Sequence, residues 1–249
     1  MTLKKTITLA LLTISLSGMA QTDNILRIGH RGAMGHLAEN TLPSIKKAVE
    51  MRCDMIEIDV YKIKSGEVMV FHDTTLERIT NGKGAIEDYT FEELRKIKVA
   101  GEYQIPTLQE VIETIDRNAV LNIELKGKNT ALASYKIVQD YLSKGWKSED
   151  FIVSSFRWEE LEIMSKQEKP LAIAVLTAED PTKKAIAFAL EINAFAINPY
   201  YKWMWADSVK AIQEAGLKVY PWTTNNPSDI QRLKDLKVDG IITDFPERI

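Results

Sequence analysis

The sequence predicts a (β/α)8 barrel, and three observations carry that expectation. From Asn24 to the end, short β-type runs alternate with amphipathic helical runs. One neighbouring pair of β-runs is too close together to be parallel, which leaves eight parallel strands. Eight β/α units in about 229 residues, once a leader is set aside, match the usual size of such a barrel.

The elements follow in order. The strand candidates are Leu26 to Gly29, Met55 to Val60, Val68 to Phe71, Val120 to Leu125, Phe151 to Ser155, Leu171 to Leu176, Ala194 to Ile197, Leu217 to Trp222 and Gly240 to Thr243. Amphipathic stretches at Thr41 to Arg52, Thr107 to Ile115, Trp158 to Lys166, Ala206 to Ala215 and Pro227 to Leu236 supply crossover helices. Between Lys64 and Glu67 lie only Ser65 and Gly66, so the second and third candidates form an antiparallel hairpin. A two-residue turn there sets His72 opposite Asp59; a slip of one residue would change that partner but not the neighbourhood. A short inserted segment, about residues 73 to 119, follows the hairpin. An open doubly wound sheet is the alternative, but no Gly-x-Gly-x-x-Gly follows the first strand. No linker or low-complexity tract interrupts the chain, which predicts one domain over residues 21–249.

Residues 1–20 read as a signal peptide: Lys4 and Lys5, an apolar stretch from Ile7 to Leu16, then Gly18-Met19-Ala20 before a cut. That apolar core is short of the roughly 20 residues a bilayer span needs. No cysteine follows Ala20 to take a lipid, so export without a stable membrane anchor, to a periplasmic or secreted location, is expected. The cut removes two lysines and no acids, moving the formal charge from -3 to about -5. The composition, 45% hydrophobic and 27% charged, is that of a globular chain and excludes disorder and coiled coil. A pI near 5.8 offers no basic footprint for nucleic acid. With Cys53 alone, neither a disulfide nor a multi-cysteine zinc site is available.

Chemistry in such barrels sits at the C-terminal ends of the strands, and unusual polar residues collect there. His30 and Arg31 follow the first strand, Glu57 and Asp59 lie late in the second, Glu124 and Lys126 end the strand at 120–125, and Asp244 follows the last. Glu57-x-Asp59 puts two carboxylates on one side of a strand, and Glu124 joins them if the strands are neighbours. Three converging carboxylates call for a cation, and oxygen ligands favour Mg²⁺ or Ca²⁺ over Zn²⁺. Arg31 and Lys126 beside one divalent cation would cradle a phosphate. His30 and His72 could serve as general acid and base, with ordinary pKa values near ~6.5. Together these features suggest phosphodiester chemistry.

The motifs His30-Arg31-Gly32, Glu39-Asn40-Thr41, Glu57-Ile58-Asp59-Val60, His72-Asp73, Ile105-Pro106-Thr107-Leu108, Asn122-Ile123-Glu124-Leu125-Lys126, Trp222-Thr223 and Asp239 to Pro246 resemble, in their order, the glycerophosphodiester phosphodiesterases. The resemblance spans about Ile25 to Pro246. It implies His30 and His72 as the acid/base pair, Glu57, Asp59 and Glu124 as metal ligands, and Arg31 and Lys126 as phosphate contacts. Trp222 would stand at the pocket under the glycerol carbons. The implied reaction yields sn-glycerol 3-phosphate and an alcohol from small glycerophosphodiesters. Two departures, Ala38 for a frequent Pro and Ile63 for a frequent Thr, touch none of this chemistry.

Several residues stay open between roles. Glu39 and Asn40 either contact the site or position the loop and cap the helix beginning near Leu42. Asp73 and Asp244 fit orienting roles better than ligation. His36 fits a structural role, and Glu159, Glu160 and Glu162 fit a solvated helix face. Tyr200, Tyr201, Trp203 and Trp205 either wall the pocket or pack under their loop. A short insert suggests an open site. A lysophospholipase D or related lipid phosphodiesterase, and an inactive binding protein on the same scaffold, are the alternatives.

Overall fold

The computed structural model describes residues 25–249; the predicted leader, residues 1–20, lies outside them. Eight parallel strands run in the order expected of a barrel, with β1 (Leu26–Gly29) between β2 (Met55–Lys62) and the final strand, β11 (Gly240–Thr243). From β2 the sheet continues through β6 (Val120–Leu125), β7 (Phe151–Ser155), β8 (Ala172–Thr177), β9 (Ala196–Pro199) and the two-residue β10 (Lys218–Val219). The barrel nearly closes between β10 and β11, where Ile242 N–H donates to the Pro221 carbonyl and Asp239 N–H to that of Val219.

The crossover helices are α1 (Leu42–Glu50), α3 (Leu108–Ile115), α4 (Thr130–Ser143), α5 (Trp158–Ser165), α6 (Lys184–Glu191), α7 (Ala206–Glu214) and α8 (Pro227–Asp235). Their starts are local chemistry. Thr41 caps α1, with a proline in its first turn, and Thr107 with Glu110 forms a capping box on α3. Glu160 corrects the reading of the acids on α5 as a solvated face. It is buried, and its carboxylate accepts from the N–H groups of Asn129 and Ala131 at the start of α4. An anion there satisfies donors a helix start leaves unpaired. None of the described helices is long and apolar enough to cross a membrane.

The hairpin strand β3 (Val68–Val70) pairs with β2 one residue out of the predicted register, with Val60 opposite Val70 and Lys62 opposite Val68. The cause is a three-residue turn. Gly66 N–H donates to the Ile63 carbonyl, Ile63 N–H to that of Glu67, and Gly66 takes φ +107°, open to a residue without Cβ. Phe71 therefore stands opposite Asp59, its N–H donating to the Asp59 carbonyl at 2.9 Å. His72 lies just beyond the ladder.

The insert proper occupies residues 73–107. It contains the short helix α2 (Phe91–Leu94) and a small hairpin of β4 (Lys98–Val99) and β5 (Tyr103–Gln104). Its own apolar cluster joins Leu76, Ile86, Leu94 and Ile105 to Tyr61, Met69 and Phe71 of the barrel hairpin. The insert is thus a packed buttress on the flank of β2 and β3.

The main core lies between sheet and helices, where outward residues such as Ile56, Ile58, Ile123 and Val153 meet Val111, Leu161 and Ile212. Inside the barrel a second apolar layer gathers Ile28, Met55, Ile152, Ala174, Ala196, Tyr220 and Ile242. Cys53 is buried in the outer core, and burial pushes its thiol up to about 12, leaving it inert.

Candidate active site

Two residues further along the same strands, the barrel interior turns polar. Alternation on β2 carries Met55 to Glu57 and Asp59, and on β6 carries Val120 to Asn122 and Glu124. The parallel register sets Glu57 beside Asn122 and Asp59 beside Glu124. One carboxylate oxygen from each of Glu57, Asp59 and Glu124 lies within 4.8 Å of the others, a group that could hold a metal ion. All three are buried, and Glu57 Oε1 has no hydrogen-bond partner. Burial, then Asp59 and Glu124, raises the Glu57 carboxyl well above the usual carboxylate range. Burial and Asp59 likewise push Glu124 up to about 7. Burial also works against the charge on Asp59, but Lys126 and Arg31 hold its pKa low. An orphaned buried oxygen and two strained ionisations fit a hard cation, which would accept all three as oxygen ligands.

Two cations stand over this group. Arg31 Nε lies 3.4 Å from Asp59 Oδ2, and Lys126 Nζ lies 2.8 Å from Glu124 Oε1 and 3.5 Å from Asp59 Oδ1. The Arg31 backbone is left-handed at φ +50°, and its N–H donates to Glu57 Oε2 at 3.0 Å. Gly32 follows at φ +86°, where a Cβ would come within 2.5 Å of Ser44 Oγ and 2.7 Å of backbone on α1. Glycine permits this close turn, which lays Arg31 across the barrel mouth.

The two predicted histidines are held alike. His30 Nδ1 is 2.6 Å from Asp244 Oδ1, and His72 Nδ1 is 2.6 Å from Asp73 Oδ1. Burial opposes both carboxylate charges, but bonds from His30 and Asn225 hold the Asp244 pKa low, and bonds from Arg78 and His72 do so for Asp73. An ionised carboxylate can only accept, so each Nδ1 carries a proton, and a ring in its neutral form has Nε2 as its acceptor. His30 Nε2 lies 4.0 Å from Glu57 Oε2. Burial, Arg31 and Lys126 lower the pKa of His72 against the pull of Asp59, which favours the neutral ring.

Glu39 and Asn40 resolve into supports. The cap of α1 is Thr41, while Asn40 Nδ2 donates to Asp59 Oδ2 at 2.9 Å and Glu39 Oε1 accepts from Arg31 Nη1 at 2.7 Å. Trp222 lines the cleft, its Nε1–H donating to the Asn198 carbonyl and its ring 5.2 Å edge-on from Phe156. None of the other aromatics lines the cleft: Tyr200 packs 5.4 Å from Trp222, Tyr201 packs against the outer core, and Trp203 and Trp205 are exposed. His36 pairs with Glu247 away from the site.

Four contributors escaped sequence reading. Ser154 and Asn198 line the cleft floor with buried polar atoms that lack partners. Asn225 Nδ2 donates to Asp244 Oδ2 at 2.6 Å. Arg78, from the insert, binds both Glu39 and Asp73. Inward alternation on β7 and β9 points to Ser154 and Asn198, nothing local marks Asn225, and the Leu76-x-Arg78 motif of the insert marks Arg78 without its role.

The fold and the site define a (β/α)8 barrel enzyme with an acidic, cation-suited centre at the strand C-termini. Residues 30–248 match the glycerophosphoryl diester phosphodiesterase family. The chain is 36% identical over 237 residues to a glycerophosphodiester phosphodiesterase of Caldanaerobacter subterraneus subsp. tengcongensis, covering 90% of this chain and 96% of that one. It is 31% identical to a glycerophosphodiester phosphodiesterase of Bacillus subtilis, covering 94% and 88% respectively. Among solved structures, a phosphodiesterase of Oleispira antarctica in complex with the product sn-glycerol-3-phosphate superposes with a TM-score of 0.81 at 27% identity, covering 89% of this chain and 94% of that one. The chain belongs to the glycerophosphoryl diester phosphodiesterase family.

Proposed function

We propose that this protein hydrolyses glycerophosphodiesters to sn-glycerol 3-phosphate and an alcohol, with one Mg²⁺ or Ca²⁺ held by Glu57, Asp59 and Glu124. The observation that carries this reading is the placement of Arg31 and Lys126 over three carboxylates whose oxygens lie within 4.8 Å. The cation would polarise a phosphoryl oxygen as a Lewis acid. Arg31 offers a planar fork of donors to the phosphate and Lys126 a point charge, both fixed before substrate arrives.

His30 and His72 then divide the proton work at their Nε2 atoms. One takes the proton of the attacking oxygen, and the other, protonated, gives its proton to the departing alkoxide. Asp244 and Asp73 keep both rings in the tautomer and orientation this requires. The cleft is small, about 80 Å³. Such a cleft would take the phosphate and a small arm against Trp222 and Phe156 and leave a larger alcohol outside. The exposed Phe156 ring makes the rim apolar. The leader motif at Lys4 to Ala20 supports export, which N-terminal sequencing of protein recovered outside the cytoplasm would test.

The testing experiment is sn-glycerol 3-phosphate release from glycerophosphocholine, glycerophosphoethanolamine, glycerophosphoglycerol and glycerophosphoinositol, with Mg²⁺, with Ca²⁺ and with chelator. Chelator-sensitive release from at least one is expected. Cleavage of lysophospholipids alone would replace the reading with a lysophospholipase D, and no cleavage by folded, metal-loaded protein would leave a binding role.

A further inference from the structure

We propose that Arg78, supplied by the insert, is the positioning residue that locks Arg31 and His72 into one arrangement; the inference rests on the phosphodiesterase reading above. Its guanidinium serves two carboxylates at once. Nη1 and Nη2 donate to Glu39 Oε2 and Oε1 at 2.8 and 2.6 Å, while Nε and Nη2 donate to Asp73 Oδ2 and Oδ1. Each carboxylate passes the constraint inward. Glu39 Oε1 also accepts from Arg31 Nη1, and Asp73 Oδ1 also accepts from His72 Nδ1. The phosphate-facing arginine after β1 and the histidine after β3 thus hang on one planar group 39 residues from Glu39.

Stability alone does not explain this clamp. The Arg78 side chain is 46% exposed and Glu39 only 6%, so the forked pair adds some stability, but nearly half of the arginine side chain stays in solvent. What two forked pairs do provide is direction, because a rigid guanidinium fixes the angle between the carboxylates it bridges. A lysine offers charge without that geometry. The companion pair lacks such a fixed charge: Asp244, behind His30, is held by the neutral amide of Asn225.

Arg78 is also placed independently of its ion pairs. Leu76 is fully buried in the insert's cluster; its N–H donates to the Gly84 carbonyl, and its carbonyl accepts from Thr80. Removing the guanidinium should therefore leave the turn in place. The insert acts in the site through Arg78 and its partner Asp73 rather than as a cover over it.

The test is steady-state release of sn-glycerol 3-phosphate from glycerophosphocholine by the full mature protein at saturating metal. Arg78→Ala should stay folded, with a small drop in melting temperature, while kcat falls roughly 10²-fold, the scale of loss from misplacing catalytic groups by about an ångström. Free guanidinium should restore part of that kcat, and the same concentration of sodium chloride should not. Arg78→Lys, which keeps the stem and the charge, should remain below wild type and serves if the alanine variant fails to fold. Wild-type kcat in either folded variant, or a loss that guanidinium leaves untouched, would overturn the proposal. Absence of release by the wild type itself would instead defeat the phosphodiesterase reading.

Discussion

The lower and upper halves of the barrel interior are built on the same strands, two residues apart, and have opposite characters. Below, Ile28, Met55, Ile152 and Ile242 fill the barrel as an apolar layer. Above, Glu57, Asp59, Asn122, Glu124, Ser154 and Asn198 are as deeply buried. Five of their side-chain atoms, Glu57 Oε1, Asn122 Oδ1, Ser154 Oγ and both amide atoms of Asn198, have no partner. Burying apolar area stabilises the fold, whereas burying unpaired polar atoms and like charges costs it. The lower layer holds the barrel together, and the upper layer strains it, as a site that awaits ligands would.

Substitutions in the two layers should therefore separate activity from stability. The largest effect is expected from Glu57→Gln or Asp59→Asn, which should abolish diester cleavage even at high Mg²⁺ or Ca²⁺, while the melting temperature of metal-free Glu57→Gln does not fall. A melt well below wild type would place Glu57 among the stabilising groups and break the contrast. Next, His30→Ala and His72→Ala should each lower turnover by roughly 10² to 10⁴, with metal affinity by calorimetry retained. Wild-type turnover in either would remove that ring from the chemistry.

In the lower layer, Ile28→Ala should cost about 2–5 kcal/mol of stability in chemical denaturation, with kcat per folded molecule near wild type. The smallest effect sharpens the comparison through pH. Glu57 and Glu124 keep protons in the metal-free fold above the pH where unfolded carboxyls, near ~4.3, release them. The fold then binds more protons than the unfolded chain, so stability is fully present below that pH and is lost as pH rises through about 7, where Glu124 ionises. The metal-free melting temperature should fall between about pH 5 and about pH 8, and saturating cation should flatten the slope. Asp59, held low, acts in the opposite sense only at more acidic pH.

Much of this was legible in the chain because it is local. Strands β1, β6, β7 and β11 have the bounds read from the sequence, and period-two alternation already placed Glu57 with Asp59. Long-range geometry shifted the rest. Ala194 was predicted to open β9, yet its N–H closes the end of α6 on the Ala189 carbonyl, so the strand starts at Ala196. The regular part of β10 is only Lys218–Val219, although Tyr220 N–H to the Ile197 carbonyl and Trp222 N–H to that of Pro199 carry the contact with β9 further, and Pro221 between them has no N–H to donate. The hairpin register turned on whether Gly66 made a two- or a three-residue turn. Arg78 and Asn225 act on partners 39 and 19 residues away; the Leu76-x-Arg78 motif shows the arginine but not its partners, and nothing local shows Asn225.

The most direct measurement is calorimetric titration of Mg²⁺ and of Ca²⁺ into metal-free wild type and Glu57→Gln. One saturable site in the wild type, lost in a variant that melts no lower, is the predicted result. Equal binding by both proteins, or none by the wild type, would contradict the assignment of the upper layer as a cation site.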